Sequence, residues 1–318
     1  MPIKYENNIA MYERVAKTLG LKCEHVYSTY KKKPLLISND KKFFLISTGS
    51  PGFYPSVKRF NAHLTTNKML TQQVLQKFNY RVIGTTPVQV QDYSSSDKML
   101  QTLIQQPLLF PLLIKPNKGQ DGAGVRICET IEQFSDICTT FFIDKHDFLI
   151  QPIISENEYR VLVVDYEVVL IHSKRNQTVV GDGKTTIGNL LSKVPESKQS
   201  PVIIEWQHAK RQTTMESVLA NGVHFEYHIT KIPSATVYYT ENFPAEIQAW
   251  ALQLAKTMSS PVVGIDVFIP GDITDTTTYT IIELNSNPAV YYLPKRCNDF
   301  VTPYRIIEKV LRNYFNLR

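Results

Sequence analysis

The segment TTNKMLTQQVLQKF carries Leu70, Val74, Leu75 and Phe78 three and four residues apart. That spacing lines one face of a helix, and Thr66 or Asn67 stands where a cap is needed. Beyond it the apolar rhythm changes. Between residues 82 and 150 the pattern predicts a strand over 86–90, a helix over 97–105, a strand over 111–115 and a glycine-rich loop. A strand over 124–128, a helix over 130–140 and a strand over 147–151 complete that stretch. EYRVLVVDY and EVVLIHSKR are apolar, β-branched runs around a short polar turn, which predicts an antiparallel hairpin. A polar helical region, the run HFEYHITKIPSATVYY and an amphipathic helix over 244–258 come next. The strands VVGIDVFI and YTIIEL flank a threonine-rich turn over 270–278, and a helix over 303–315 closes the pattern. The first sixty residues mix a helix over roughly 8–20 with the short strands KPLLIS and KKFFLIST, ending in GSPGFYP, a glycine- and proline-rich boundary. This order predicts α+β with antiparallel sheets, not a doubly wound parallel sheet.

Composition adds bounds. The 318 residues, 43% hydrophobic and 20% charged, suit two or three subdomains able to bury a substantial core. Lysine and arginine outnumber aspartate and glutamate 35 to 29, a formal +6. The excess is scattered, and its densest run, Lys31–Lys33, reads as a solvated turn. Such a balance suits a phosphate-rich small ligand and calls for no nucleic acid. Cys23, Cys128, Cys138 and Cys297 form no C-x-x-C pair and have no zinc spacing, so they read as reduced thiols. The start of the chain has no apolar stretch of the signal-peptide kind, and the run 107–114 is too short to span a bilayer. The expectation is a soluble cytoplasmic protein that engages no membrane.

Three stretches carry candidate chemistry. In PLLIKPNKGQDGAGV, Lys115 ends an apolar strand, and Gly119, Gly122 and Gly124 occupy the loop beyond it. Glycines there let backbone N–H groups turn toward an anion, to which the lysine adds a fixed charge; a flexible hairpin with an exposed lysine has the same pattern. In YTIIELNSNPAV, Glu283 and Asn285 are two apart, so on a strand their side chains share a face, although Asn-Ser-Asn-Pro also reads as turn punctuation. Folding YTIIEL back on VVGIDVFI as an antiparallel hairpin brings Asp266 opposite, or nearly opposite, Glu283. Two carboxylates and an amide oxygen converging on one sheet face would repel uncompensated. They form a hard-oxygen set suited to magnesium.

Glu158 and Arg160 share a face of another strand, and Arg175 ends the next. Each reads either as a surface ion-pair member or as a nucleotide contact, Glu158 to ribose hydroxyls and Arg175 to phosphate. Lys68 sits in the first turn of its helix, where the helix dipole disfavours a cation. VVGDGKTTIG contains Gly-Lys-Thr, but Thr178 stands where a Walker A loop needs glycine. There is no G-x-S-x-G elbow or Cys–His signature among its residues.

Taken in order, TTNKMLTQQVLQKF, LLIKPNKGQDGAGV, EYRVLVVDYEVVLIHSKRNQTVVGDGKTTIGNLL, LANGVHFEYHITKIPSATVYY and GIDVFI…IIELNSNP resemble the ATP-grasp superfamily. The branch resembled is that of cyanophycin synthetase and the bifunctional glutathione synthetase, over roughly residues 60–290. The resemblance implies an ATP-grasp fold, with two α+β subdomains clasping ATP between antiparallel sheets. It divides the chain into an N-terminal α/β segment (1–63), a small subdomain with the glycine-rich flap (64–150) and a large subdomain with the metal site (151–318), read as a stand-alone unit.

Carried over residue by residue, Lys68 and Lys115 resemble the lysines that hold ATP phosphates, and Gly119, Gly122 and Gly124 the flap. Gln151 and Ile153 fall at the adenine hinge and Glu158 at the ribose-binding acid. Arg175 matches a phosphate-reaching arginine, with Arg160 and Lys115 also placed in the catalytic set. Asp266, Glu283 and Asn285 match the ligands of magnesium, or alternatively manganese. The implied reaction is ATP-dependent carboxylate–amine ligation through an acylphosphate, on small amino-acid or peptide-like acid and amine substrates. Protein-tail acceptors, a kinase acting on a hydroxyl, a non-catalytic nucleotide-binding module and a homodimer stay open. The resemblance departs at Gln151, where the family has glutamate, at Asp121 in the flap, and at Ala289 after ELNSNP, where the family has glycine.

Overall fold

The computed structural model describes residues 7–26, 34–46, 53–119, 122–154, 156–238, 243–271, 273 and 278–317. Lys31–Lys33, Asp121, part of the GSPGFYP boundary and most of the threonine-rich turn lie outside the described residues.

Along the chain, helix α1 (Asn8–Thr18) precedes β1 (Lys22–His25), β2 (Leu35–Ser38) and β3 (Phe43–Ile46), an antiparallel sheet in the order β1-β2-β3. Helices α2 (Arg59–Thr66) and α3 (Lys68–Lys77) follow. Asn67 joins them and caps α3, its side chain accepting from Leu70 N, which satisfies one of the amides a helix start leaves open.

The middle of the chain is β4 (Thr86–Val88), α4 (Ser96–Ile104), β5 (Leu112–Pro116), β6 (Arg126–Cys128), α5 (Ile131–Ile143) and β7 (Phe148–Pro152). Its strands form a four-stranded antiparallel sheet in the order β4-β7-β5-β6. The sheet packs on α4 and α5 through Met99, Leu103, Phe134, Cys138 and Phe148. The remainder is β8 (Asn157–Val164), β9 (Glu167–Val180), α6 (Ile187–Leu191), α7 (Pro201–Arg211), β10 (His224–Tyr238), α8 (Ala245–Thr257), β11 (Val262–Ile269), β12 (Thr280–Asn285), α9 (Leu293–Cys297) and α10 (Thr302–Phe315). Its sheet has the order β10-β9-β8-β11-β12, antiparallel throughout.

Strand β11 is buried along its whole length, as its unbroken apolar run requires of a strand with neighbours on both edges. The alternation of β8 and β9 then sorts side chains to two sides. Val161, Val163 and Ile171 pack on α8 through Ile247, Ala251 and Leu254. Leu162, Val164 and Leu170 point the other way, into a core shared by α1, the first sheet and α10. That core ties the two ends of the chain together. Tyr314 of α10 donates from its hydroxyl to Phe43 O at 2.7 Å, and Lys42 Nζ donates to Tyr314 O at 2.9 Å. The polar residues described next lie on the same sheet face as Leu162 and Leu170, farther along the strands.

Among the described residues no helix is long and apolar enough to cross a membrane, and none of the four cysteines forms a disulfide.

Candidate functional site

Register builds the site. Glu283 pairs with Asp266, Asp266 with Arg160, and Arg160 with His172. Directly opposed residues share a face, so four polar side chains run in a row across β12, β11, β8 and β9. The next row holds Glu158 opposite Lys174 and Phe268.

Asp266 is 1% exposed and accepts three hydrogen bonds. Arg160 donates from Nε to Oδ1 at 2.7 Å and from Nη2 to Oδ2 at 2.6 Å, and Lys174 Nζ donates to Oδ2 at 2.8 Å. Lys174 Nζ also donates to Glu158 Oε1 at 2.5 Å, while Lys231 Nζ lies 3.6 Å from Glu158 Oε2 and over the Phe268 ring. Gly264 leaves room for this grip. A Cβ there would stand 3.2 Å from Pro288 Cβ and 3.7 Å from Arg160 Nε.

Above the sheet lies the glycine-rich loop. Its base is fastened to the start of α3, where Asn117 Oδ1 accepts from Met69 N at 2.9 Å and Lys68 Nζ donates to Gly119 O at 2.8 Å. Gly122 has φ 76° and abuts β10, so that a Cβ on it would lie 2.3 Å from Ile229 Cγ2. The loop is thus held at α3 and laid against the large sheet. Lys115, at the end of β5, is half-buried, within electrostatic reach of Glu283, Lys68, Glu158 and Asp266.

These surroundings set the charges. Burial holds the Lys115 ammonium below its usual range, against the pull of Glu283. Burial pushes Glu283 up, and the Asp266 carboxylate opposite pushes the same way. Burial would raise Asp266 too, but Arg160 and Lys174 outweigh it and hold that carboxyl well below the ordinary range. Burial lowers His172 to about 4, leaving a neutral ring. Its Nδ1 stands 3.1 Å from Ser173 O, which can only accept, so Nε2 at 3.0 Å accepts from the Tyr292 hydroxyl.

Lys115, Lys68, Gly119, Glu158, Arg160, Asp266 and Glu283 are therefore brought together. Asn285 stands two residues past Glu283, its Oδ1 accepting from Asn287 N at 2.9 Å. Gln151 is buried, opposite Leu113, with Nε2 donating to Thr85 Oγ1 at 2.7 Å, and Ile153 follows just beyond β7. Gly124 closes the loop over Pro116. Arg175 is exposed and joins none of the contacts above. Its neighbour Lys174 reaches Glu158 and Asp266 instead. Sequence reasoning passed over Lys174, Lys231, His172 and Tyr292. For two of them the hairpin alone misleads, since only the register shift between Leu162 and Val163 puts His172 and Lys174 opposite Arg160 and Glu158.

The segment after β12 is fixed from the far end of the chain. Phe53 N donates to Asn287 Oδ1 at 2.9 Å, the Tyr54 hydroxyl to Pro288 O at 2.6 Å, and Tyr291 N to Asn8 Oδ1 at 3.1 Å. A cleft of about 710 Å³ lies elsewhere, behind the loop against α5. Of the candidate residues only Gly119 and Gly124 line it, so the site rests on converging charge, not on that concavity.

Residues 65–194 match the family model of the RimK-like ATP-grasp domain. The glutathione biosynthesis bifunctional protein GshAB of Clostridium perfringens is 26% identical over 254 residues, covering 72% of this chain and 32% of its own length. That of Streptococcus agalactiae is 23% identical over 270 residues, covering 77% and 35%. The chain spans about a third of the length of these curated relatives. Among solved structures, a bifunctional glutathione synthetase from Pasteurella multocida aligns with TM-score 0.53 at 18% identity, covering 95% of this chain and 43% of that one. D-alanine–D-alanine ligase from Bacillus anthracis aligns with TM-score 0.50 at 15% identity, covering 82% and 72%. Residues 65–194 are thus similar to a RimK-like ATP-grasp domain, and the chain has the ATP-grasp fold.

Proposed function

We propose that this protein is an ATP-dependent carboxylate–amine ligase acting on an amino-acid or peptide-like substrate. The observation that carries this reading is the convergence of Lys115, Lys68 and the glycine-rich loop, all within the stretch that matches the family model, on the paired carboxylates Asp266 and Glu283. That the similar curated proteins are named for glutathione biosynthesis supports amide formation over other phosphoryl chemistry.

In this reading Lys68, Lys115 and the loop amides receive the ATP phosphates, with Arg175 a further phosphate contact. Gln151 and Ile153 flank the base through their backbone, and Glu158 receives the ribose. The substrate carboxylate attacks the γ-phosphorus and ADP leaves, giving an acylphosphate. The amine then attacks the acyl carbon, phosphate leaves with the C–O electrons, and the amine sheds a proton. The chain's cations neutralise the charge that spreads over the transferring group.

The donor set fits a divalent cation. Glu283 is a carboxylate whose burial and facing Asp266 disfavour its charge, the strain that a cation relieves. Asn285 Oδ1, with one hydrogen bond, keeps a lone pair. Asp266 accepts three hydrogen bonds and has room for one more contact. Among the described residues no three His, Cys, Asp or Glu side chains are placed to hold a metal; the set proposed here takes its third ligand from the Asn285 amide oxygen. Bound there, magnesium would supply charge neutralisation for the phosphates.

The test is incubation of the protein with ATP, magnesium and pooled amino acids and small dicarboxylates, followed by phosphorus NMR. Equal release of ADP and free phosphate, dependent on an acid and an amine together and lost in Lys115→Ala, is the expected result. ADP with the phosphoryl group retained on an acceptor would replace ligation by a kinase reaction.

A further inference from the structure

Lys174 has no role in the reading above, yet it sits at its electrostatic centre. Its side chain is 11% exposed, and its ammonium bridges Glu158 Oε1 at 2.5 Å and Asp266 Oδ2 at 2.8 Å. One proposed ribose acid and one proposed metal acid are therefore tied to the same lysine. We propose that Lys174 is a built-in counter-ion that makes divalent-cation entry at Asp266 and Glu283 depend on nucleotide phosphates. The inference rests on the nucleotide and metal reading given above.

Charge sets the order of binding. Arg160, Lys174, Lys231 and Lys115 exceed Asp266, Glu158 and Glu283 by one positive charge. A divalent cation arriving alone would meet a surplus of its own sign and an ammonium already on Asp266 Oδ2. Repulsion at that separation, in a site this buried, is large. Phosphate oxygens reverse the balance, because they attract the incoming cation and give Lys174 another acceptor. The lysine can follow them, since its charge rides on a flexible four-carbon stem. Neither acid is stranded when it moves: Arg160 keeps both oxygens of Asp266, and Lys231 remains beside Glu158. Arg160, with its planar two-point grip on Asp266, is the fixed partner, and Lys174 the mobile one.

The experiment measures Mn²⁺ binding from the EPR signal of the free ion, with and without ADP, on the full chain. Wild-type protein is expected to bind Mn²⁺ weakly alone. Lys174→Met, and independently Lys174→Gln, should bind Mn²⁺ without nucleotide about tenfold more tightly or better, the scale of one removed neighbouring charge. Lys174→Arg, which keeps the charge, should behave as wild type, and adding Glu283→Gln to Lys174→Met should abolish the gain. Nucleotide-free affinity unchanged in both neutral variants overturns the proposal, as does a gain that survives Glu283→Gln. Calorimetry of ADP binding to the wild type separates the two readings. No ADP binding removes the nucleotide site and this inference with it, whereas ADP binding with no gain in the variants removes the inference alone.

Discussion

Arg160 and Asp266 stand opposite each other on adjacent strands, joined by two hydrogen bonds of 2.7 and 2.6 Å, and Asp266 is all but sealed from solvent. Truncating a buried ion pair on one side strands the other charge. Asp266→Ala should therefore destabilise the fold by about 3–5 kcal/mol, because it leaves both Arg160 and Lys174 without this acceptor. Urea unfolding measures the loss. A cost within about 0.5 kcal/mol, the range of a surface change, would show that the pair is not formed in solution.

Glu283 should behave in the opposite way. Burial and the facing carboxylate raise its pKa, so the folded state disfavours the charge that the unfolded chain carries at neutral pH. Glu283→Ala should keep the fold, with a thermal midpoint no lower than that of the parent. Magnesium-dependent turnover should fall by about a hundredfold or more. Undiminished turnover would remove Glu283 from the metal set.

His172 gives the fold a pH signature. Burial lowers its pKa from 6.5 to about 4, so below 6.5 the unfolded chain takes up a proton that the folded ring refuses. Stability from this group is complete above pH 6.5 and is lost as pH falls toward 4, by about 3 kcal/mol in all. Urea midpoints for wild type and His172→Gln at pH 7.5, 5.5 and 4 should converge by that amount toward acid. Parallel curves would mean that the ring is not held neutral.

Gly122 is predicted to be a control point of the loop. Its φ of 76° and the 2.3 Å that would separate a Cβ from Ile229 Cγ2 leave alanine strained by about 1–2 kcal/mol and in collision. Gly122→Ala should lift the loop from β10, speed hydrogen exchange over 118–126 and weaken ADP binding, with global stability little changed. Unaltered exchange there would show that the loop does not rest on β10.

Much of this was readable from residue order. The alternating runs mark the strands, and helices α8 and α10 carry their apolar faces at helical spacing. A short connection between VVGIDVFI and YTIIEL already implied the pairing that puts Asp266 against Glu283. What was hidden depends on partners. Helix α2 escapes notice because it buries little beyond Asn61 and Leu64. Arg175 draws the eye in SKR, but only the register of β9 against β8 shows that Lys174 is the residue facing Glu158. The contacts of Asn8, Phe53 and Tyr54 reach more than two hundred residues along the chain, and no local pattern encodes them.

Those long-range contacts bear on how such a protein could be recombined. The strip from Ser286 to Tyr292, next to the proposed metal and phosphate groups, takes its shape from Asn8, Phe53 and Tyr54 as well as from β12. The first sheet is in turn locked to α10. A chimera that exchanged only residues 60–290 with a relative would place a foreign strip against native anchors and break their match. The inheritable unit around this strip is discontinuous, and residues 8–54 must travel with 286–315.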